Sequence, residues 1–315
     1  MATSQTSRLI TAEHQLPRLA KLNLRQREAI FGYLFISPWL IGLFLFFIVP
    51  FAASFYLSFT SYSILSPGRW VGLDNYVRAL TQDPVFWHSL GITALYVSVT
   101  VILRIVLGFG LALLLNSKVR FIGFWRTLFY LPSIIPLAAL SVIWMQVLDG
   151  RSGLLNQLLS LFGIGHIRWL TDPDFALTGL IIMSTVWVGT TMVIFLAGLQ
   201  NLPEEYFEAS RIDGATNLQQ LRFIIIPLMT PTIYFNLLIN IINAFQVFSQ
   251  ALIMTQGGPQ DATRFYMLYV YDNAFRYTPA QMGYASALAW ILFVIILVFT
   301  LLIVVSSRRW VFYGD

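Results

Sequence analysis

NLPEEYFEASRIDGATNLQQLRFIIIPLMTP, residues 201–231, is a charged interlude between two long apolar runs. It opens as a helix start. Asn201 precedes Pro203, and Glu204 and Glu205 fill the first turn, where the positive end of a helix dipole favours acids. Gly214 then offers a break at which the chain can turn, and Pro227 and Pro231 stand where the next apolar run begins. A short amphipathic helix followed by a glycine turn fits either a generic interfacial helix or a socket for a soluble partner. These residues alone leave both readings open.

Outward from this stretch the chain is dominated by apolar sequence. Six long runs lie at roughly 31–59, 88–115, 121–148, 175–200, 223–254 and 283–307. Each is long enough for a transmembrane helix, which needs roughly 20 apolar residues, and too long for a barrel strand of about 9–11. Of 315 residues, 57% are hydrophobic and 10% charged. An ordinary soluble domain carries about 25% charge, so a soluble enzyme and a disordered regulator are excluded. There is no cysteine, hence no disulfide and no thiolate metal site. The first run follows some thirty polar residues and is too long for a cleavable signal core, so it is expected to stay as an anchor. The expected organisation is therefore a cytoplasmic tail over 1–30 with an interfacial helix, an all-α, six-span polytopic domain over 31–309 containing the loop 201–222, and a short tail over 310–315.

Orientation follows from the basic residues. With the N-terminus inside, twelve of the 19 Lys and Arg face the cytoplasm, among them Arg8, Arg18, Lys21, Lys118, Arg211 and Arg222. Six lie outside, and Arg104 falls within a span. Both termini are expected inside, with the loops near 60–87, 149–174 and 255–282 outside. The net charge of +5 then reflects cytoplasmic loops against membrane lipid rather than contact with nucleic acid.

Within 201–231 the run Glu208-Ala209-Ser210, then Gly214, then nine residues to Ile224, Ile226 and Pro227 resembles the "EAA" loop of ABC importer permeases. That pattern is Glu-Ala-Ala, three residues, Gly, nine residues, Ile, any residue, Leu, Pro. Ser210 replaces the second Ala and Ile226 replaces the Leu. Residues 71–97 and 254–275 are similar to the carbohydrate branch of that family, the maltose and glycerol-3-phosphate type, in a compact six-span form. The resemblance covers about 31–309 and implies a type I ABC importer permease fold, with no catalytic residues and no cofactor on this chain. It implies that Glu204, Glu205, Glu208, Ala209, Ser210, Asp213, Gly214 and Pro227 belong to a coupling loop that docks on an ATPase. The implied partners are a second, distinct permease, two copies of a cytoplasmic ATPase subunit that bind ATP and Mg, and an extracytoplasmic solute-binding protein. The implied location is a bacterial or archaeal inner membrane. The chain has no Gly-Lys pair and only two lysines, so it carries no G-x-x-x-x-G-K-[ST] phosphate loop, and an ATP motor must be a separate chain.

A polar path through a membrane needs side chains that avoid lipid. The fifth run supplies Asn236, Asn240, Asn243, Gln246 and Gln250, most of them on one helical stripe. Amides donate and accept without charge, which suits hydroxyl-rich sugars. The same stripe also fits interhelical hydrogen bonding. Arg104 sits mid-span with no acid in any run to pair with, and reads either as structural or as pathway lining. Pro132 and Pro136 are expected to kink the third run. Trp144, Trp187 and Trp290 can pack or stack on sugar faces, and Gly257-Gly258-Pro259 marks a tight turn. The competing class is a secondary transporter or channel for a small polar solute. That class usually relies on intramembrane Asp, Glu or His; all fourteen acids fall outside the six runs, and His88, at the start of the second, is on the outer side. No nucleophile–base pair or metal cluster can be assembled from the sequence.

Overall fold

The computed structural model describes residues 23–117 and 120–312; within them every regular element is helical, apart from the isolated bridges Thr60–Trp70 and Ser63–Ser66. Most of the expected cytoplasmic tail, Lys118 and residues 313–315 lie outside the described residues. The chain divides into two compact units, 1–56 and 57–315. Helix α1 (Leu24–Ser58) supplies the described part of the first, up to Tyr56, apart from its cap Asn23. It begins at Leu24, ahead of the expected residue 31, because Asn23 and Gln26 form a reciprocal capping box. A π-helical stretch interrupts it at Phe44–Ile48.

The second unit opens with α2 (Asp74–Thr81) and α3 (Pro84–Asn116). Asp83 caps α3 through Oδ1, which accepts from the Val85 and Phe86 N–H groups, and Pro84 occupies the first turn, where no N–H is needed. The same Asp-Pro device starts α7 (Pro173–Gln200) at Asp172. Its 33 residues make α3 about 50 Å long, well beyond a hydrocarbon core of about 30 Å. Helices α3 and α7 pack along one another. The approach is close: a Cβ on Gly108 would sit 2.8 Å from Thr191 Cγ2, so a small residue is required there.

The third apolar run is not one kinked helix. Helix α4 (Ile122–Tyr130) passes into a 3-10 turn at Leu131–Ile134, and α5 (Leu137–Val147) leaves at 103° to it. Pro132 starts the 3-10 turn and Pro136 stands immediately before α5, so the expected kink is a full break. Between α5 and α7 lies α6 (Leu154–Ser160), whose Asn156 ties the loop together. Its Nδ2 donates to the Ile167 carbonyl at 2.9 Å, and its Oδ1 accepts from Trp169 Nε1 at 3.0 Å.

After α7 come α8 (Glu204–Ile212) and α9 (Asn217–Gln220), the latter continuing through 221–228. Helix α10 (Thr230–Phe245) follows the break at Met229, and α11 (Ser249–Met254) follows a second break at 246–248. The run expected at 223–254 is thus a discontinuous span. Helix α12 (Tyr266–Tyr271) and the final span α13 (Met282–Ser307) complete the chain. By length and composition five described helices can cross a membrane, and six do if the bent α4–α5 pair is one span. One buried cluster joins α3, α10, α12 and α13 through Phe86, Phe245, Tyr266 and Leu288. A second joins α3, α7 and α11 through Tyr96, Met183 and Ala251. The outward faces carry large exposed apolar side chains such as Ile102, Val106, Leu301 and Val305, as lipid contact requires.

Candidate functional site

Three irregular stretches of backbone meet around one cavity of about 570 Å³. They are the break at Ile135–Pro136 between α4 and α5, the 3-10 turn Thr185–Trp187 inside α7, and residues 246–248 between α10 and α11. Ile135, Leu137, Trp187, Gln246, Val247 and Phe248 all line it. Unpaired backbone at membrane depth is tolerated only where protein or a water-filled space satisfies it, so these breaks and the cavity explain one another. The volume falls within the range of about 300–1,000 Å³ typical of small-molecule sites.

All six pathway candidates, Arg104, Asn236, Asn240, Asn243, Gln246 and Gln250, line this space. They differ in what holds them. Asn236 Nδ2 donates to the Thr232 carbonyl at 3.0 Å, within its own helix. Asn240 Nδ2 donates to Thr191 Oγ1 at 3.3 Å, tying α10 to α7, and to the Asn236 carbonyl at 2.9 Å. Gln250 Nε2 donates to Tyr96 Oη at 3.1 Å, tying α11 to α3. These three are buried; Asn240 and Gln250 serve both as lining and as interhelical bonds, whereas Asn236 bonds only within α10. Asn243 and Gln246 are exposed to the open space. Two of the five amides thus tie helices together and two open onto the cavity.

Arg104 is 7% exposed. Its Nε donates to the Ser184 carbonyl at 3.1 Å, just before the 3-10 turn of α7, and its guanidinium lies 5.7 Å from the Trp187 ring centroid. Sequence reasoning missed Tyr96 and Thr191 as lining groups, since each reads as an ordinary polar residue in an apolar helix. Trp144 packs at the edge of the second cluster and Trp290 against Phe293, so of the three tryptophans only Trp187 reaches the cavity.

The loop 201–222 forms a rigid elbow. Helix α8 starts after Pro203 with Glu204 and Glu205 in its first turn. It ends in a Schellman motif: the Gly214 N–H donates to the Arg211 carbonyl at 3.1 Å and the Ala215 N–H to the Ser210 carbonyl at 2.9 Å. Gly214 has φ +78°, the left-handed conformation that the motif needs. Thr216 and Gln219 then form a capping box for α9. Ser210 is buried; its Oγ donates to the Phe207 carbonyl at 2.9 Å and accepts from Gln220 Nε2 at 2.8 Å, bracing α8 against α9. The departure from Ala at this position is thus a hydrogen-bonded one. Glu204, Glu205, Glu208, Ala209 and Asp213 are exposed, as are Tyr206, Ile212 and Leu218, while Pro227 is half-buried where the chain re-enters the bundle.

A polar cluster that the sequence did not reveal closes the other end of α3. Asp83 Oδ2 accepts from both Tyr269 Oη and Tyr284 Oη. Arg78 lies 4.1 Å from the Tyr284 ring centroid, and its Nη1 donates to Gln281 Oε1 at 2.6 Å. Burial, with Asp83 accepting its hydroxyl, holds the Tyr269 phenol far above the ordinary range, so it remains a donor. Among the described residues no group of three or more His, Asp or Glu could hold a metal ion.

Discontinuous spans around a polar cavity, joined to an exposed elbow, define a multi-pass transport protein rather than a receptor or a structural anchor. A family model described as "Binding-protein-dependent transport system inner membrane component" matches residues 104–311, and the chain belongs to that family. It is 42% identical over 292 residues to the probable ABC transporter permease protein YesP of Bacillus subtilis, covering 91% of this chain and 94% of that one. It is 32% identical to the trehalose/maltose permease MalF of Thermococcus litoralis, covering 90% and 96%. It is also 32% identical to the lactose permease LacF of Rhizobium radiobacter, covering 92% and 98%. The fold matches a chain of a bacterial ABC transporter that imports alginate, with TM-score 0.79, 23% identity and coverage of 93% and 99%.

Proposed function

We propose that this chain is one half of the pore of an ATP-driven importer for a sugar or sugar-like solute. The observation that carries the reading is the cavity at the three backbone breaks, walled by Asn236, Asn240, Asn243, Gln246 and Gln250 and free of acidic groups. Amides lining such a space exchange hydrogen bonds with hydroxyls without the cost of burying charge. Relatives that carry trehalose, maltose and lactose agree with a hydroxylated solute. A second permease supplies the other half of the pore and an extracytoplasmic binding protein delivers the solute. Two copies of an ATPase subunit bind ATP and Mg and dock at Glu204–Ile212 and Gly214. The chain itself performs no catalysis. Both termini face the cytoplasm of a bacterial or archaeal inner membrane.

The test is reconstitution of this chain with its partners in proteoliposomes, followed by uptake of labelled oligosaccharides. Uptake that requires ATP and the binding protein supports the reading. Uptake that runs on an ion gradient without the ATPase would assign the chain to the secondary transporters.

A further inference from the structure

The cavity carries a charge that its architecture does not use. Of its lining residues Arg104 alone is ionised; the remainder are amides, hydroxyls and apolar groups, with no Asp or Glu among them. Its Nε donates to the Ser184 carbonyl at the start of the 3-10 turn of α7. One neutral donor would suffice for that. The two terminal nitrogens of Arg104 have no hydrogen-bond partner among the described residues, and neither is sealed from the open space. Placing Arg at membrane depth is among the costlier substitutions in a helix, so a carbonyl tie alone is a poor reason for it. The Trp187 face holds the guanidinium in place without neutralising it.

We infer that Arg104 is the counter-charge for an acidic saccharide, and that the transported solute carries a carboxylate. A guanidinium presents two parallel N–H donors that match a carboxylate in bidentate geometry. The amides of Asn243 and Gln246 on the opening would meet the hydroxyls of the same ring. This rests on the importer reading and narrows its substrate class.

The chain lacks cysteine, so a reporter can be placed in it cleanly. In the assembled importer, Asn243→Cys is modified with an anionic and with a cationic methanethiosulfonate. The anionic-to-cationic rate ratio should fall on the order of tenfold when Arg104→Gln is added and hold in Arg104→Lys. Glucuronate should slow the modification at concentrations where glucose does not. Should Arg104→Gln fail to assemble, Gln246→Glu places an opposing charge on the cavity wall and should lower the same ratio. A ratio indifferent to both substitutions, or equal protection by glucuronate and glucose, overturns the inference. ATP-driven uptake in wild-type vesicles is measured in parallel: uptake confined to neutral sugars would sink the acidic solute while leaving the importer standing.

Discussion

Asn240 and Asn243 lie one turn apart on α10, and substituting each by Leu should separate two roles that the sequence could not. Asn240 donates across to Thr191 on α7, whereas the Asn243 side chain makes no hydrogen bond among the described residues and opens onto the cavity. An interhelical bond of this kind contributes about 0.6 kcal/mol on average and about 1.7 at most. Asn240→Leu should therefore lower the Tm of the assembled complex by about 1–4 °C. Asn243→Leu should leave it unchanged. For uptake, a neutral hydrogen bond to a passing hydroxyl is worth about 0.5–1.5 kcal/mol, or roughly two- to thirteenfold at subsaturating solute. Both variants should show that loss, Asn240→Leu through its unpartnered oxygen and Asn243→Leu through its whole amide. The measurements are thermal unfolding of the purified complex and initial rates of ATP-driven uptake. Equal Tm values for the two variants, or wild-type uptake by Asn243→Leu, would refute this division of roles.

At the elbow, Gly214→Val meets no neighbour within 4 Å but must hold φ +78°, at a cost of about 1–3 kcal/mol. It should release or uncouple the ATPase in a co-purification assay while the spans still insert; Gly214→Asn, which tolerates that conformation, should stay close to wild type. Topology is read by single cysteines at Ser152 and Ile212, both exposed, which should react with impermeant reagents from opposite faces of the membrane. Ser210 is too buried to serve as the inner position, and labelling of both from one face would reverse the assignment of the loops. At the far end of α3, Asp83→Ala removes a helix cap and leaves two tyrosines without an acceptor, for a loss of about 2–4 kcal/mol in unfolding experiments. Asp83→Asn keeps the cap and should lose about half as much; wild-type stability in Asp83→Asn would mean that the tyrosines contribute nothing, and a loss equal to that of Asp83→Ala that the cap contributes nothing.

The spans and the amide stripe were legible because both depend on local pattern: apolar length for one, helical spacing for the other. Gly214 was legible for the same reason, since a left-handed turn at a helix end calls for glycine. What the sequence concealed is nonlocal. Nothing in Asn243-Ala244-Phe245-Gln246-Val247-Phe248 announces a break, for no proline or glycine is there; the helix opens because the cavity accepts its freed peptide groups. Pro136 promised a kink, but the turn is 103° and α5 packs on α11, a distant contact that the sequence does not announce. Asp83 read as an ordinary loop acid ahead of a proline. Its partners lie 186 and 201 residues further on, beyond the reach of any window.

That separation has a meaning in time. At about 5–20 residues per second of synthesis, Tyr284 emerges roughly 10–40 s after Asp83. Until Tyr269 is made the carboxylate has only the start of its own helix to hold, through the Val85 and Phe86 N–H groups. The second oxygen waits first for Tyr269 on α12 and then for Tyr284 on α13. Closure of this end of the bundle is thereby deferred until α13 has been made, and a chain cut before Tyr269 would leave that oxygen without either of its tyrosine donors.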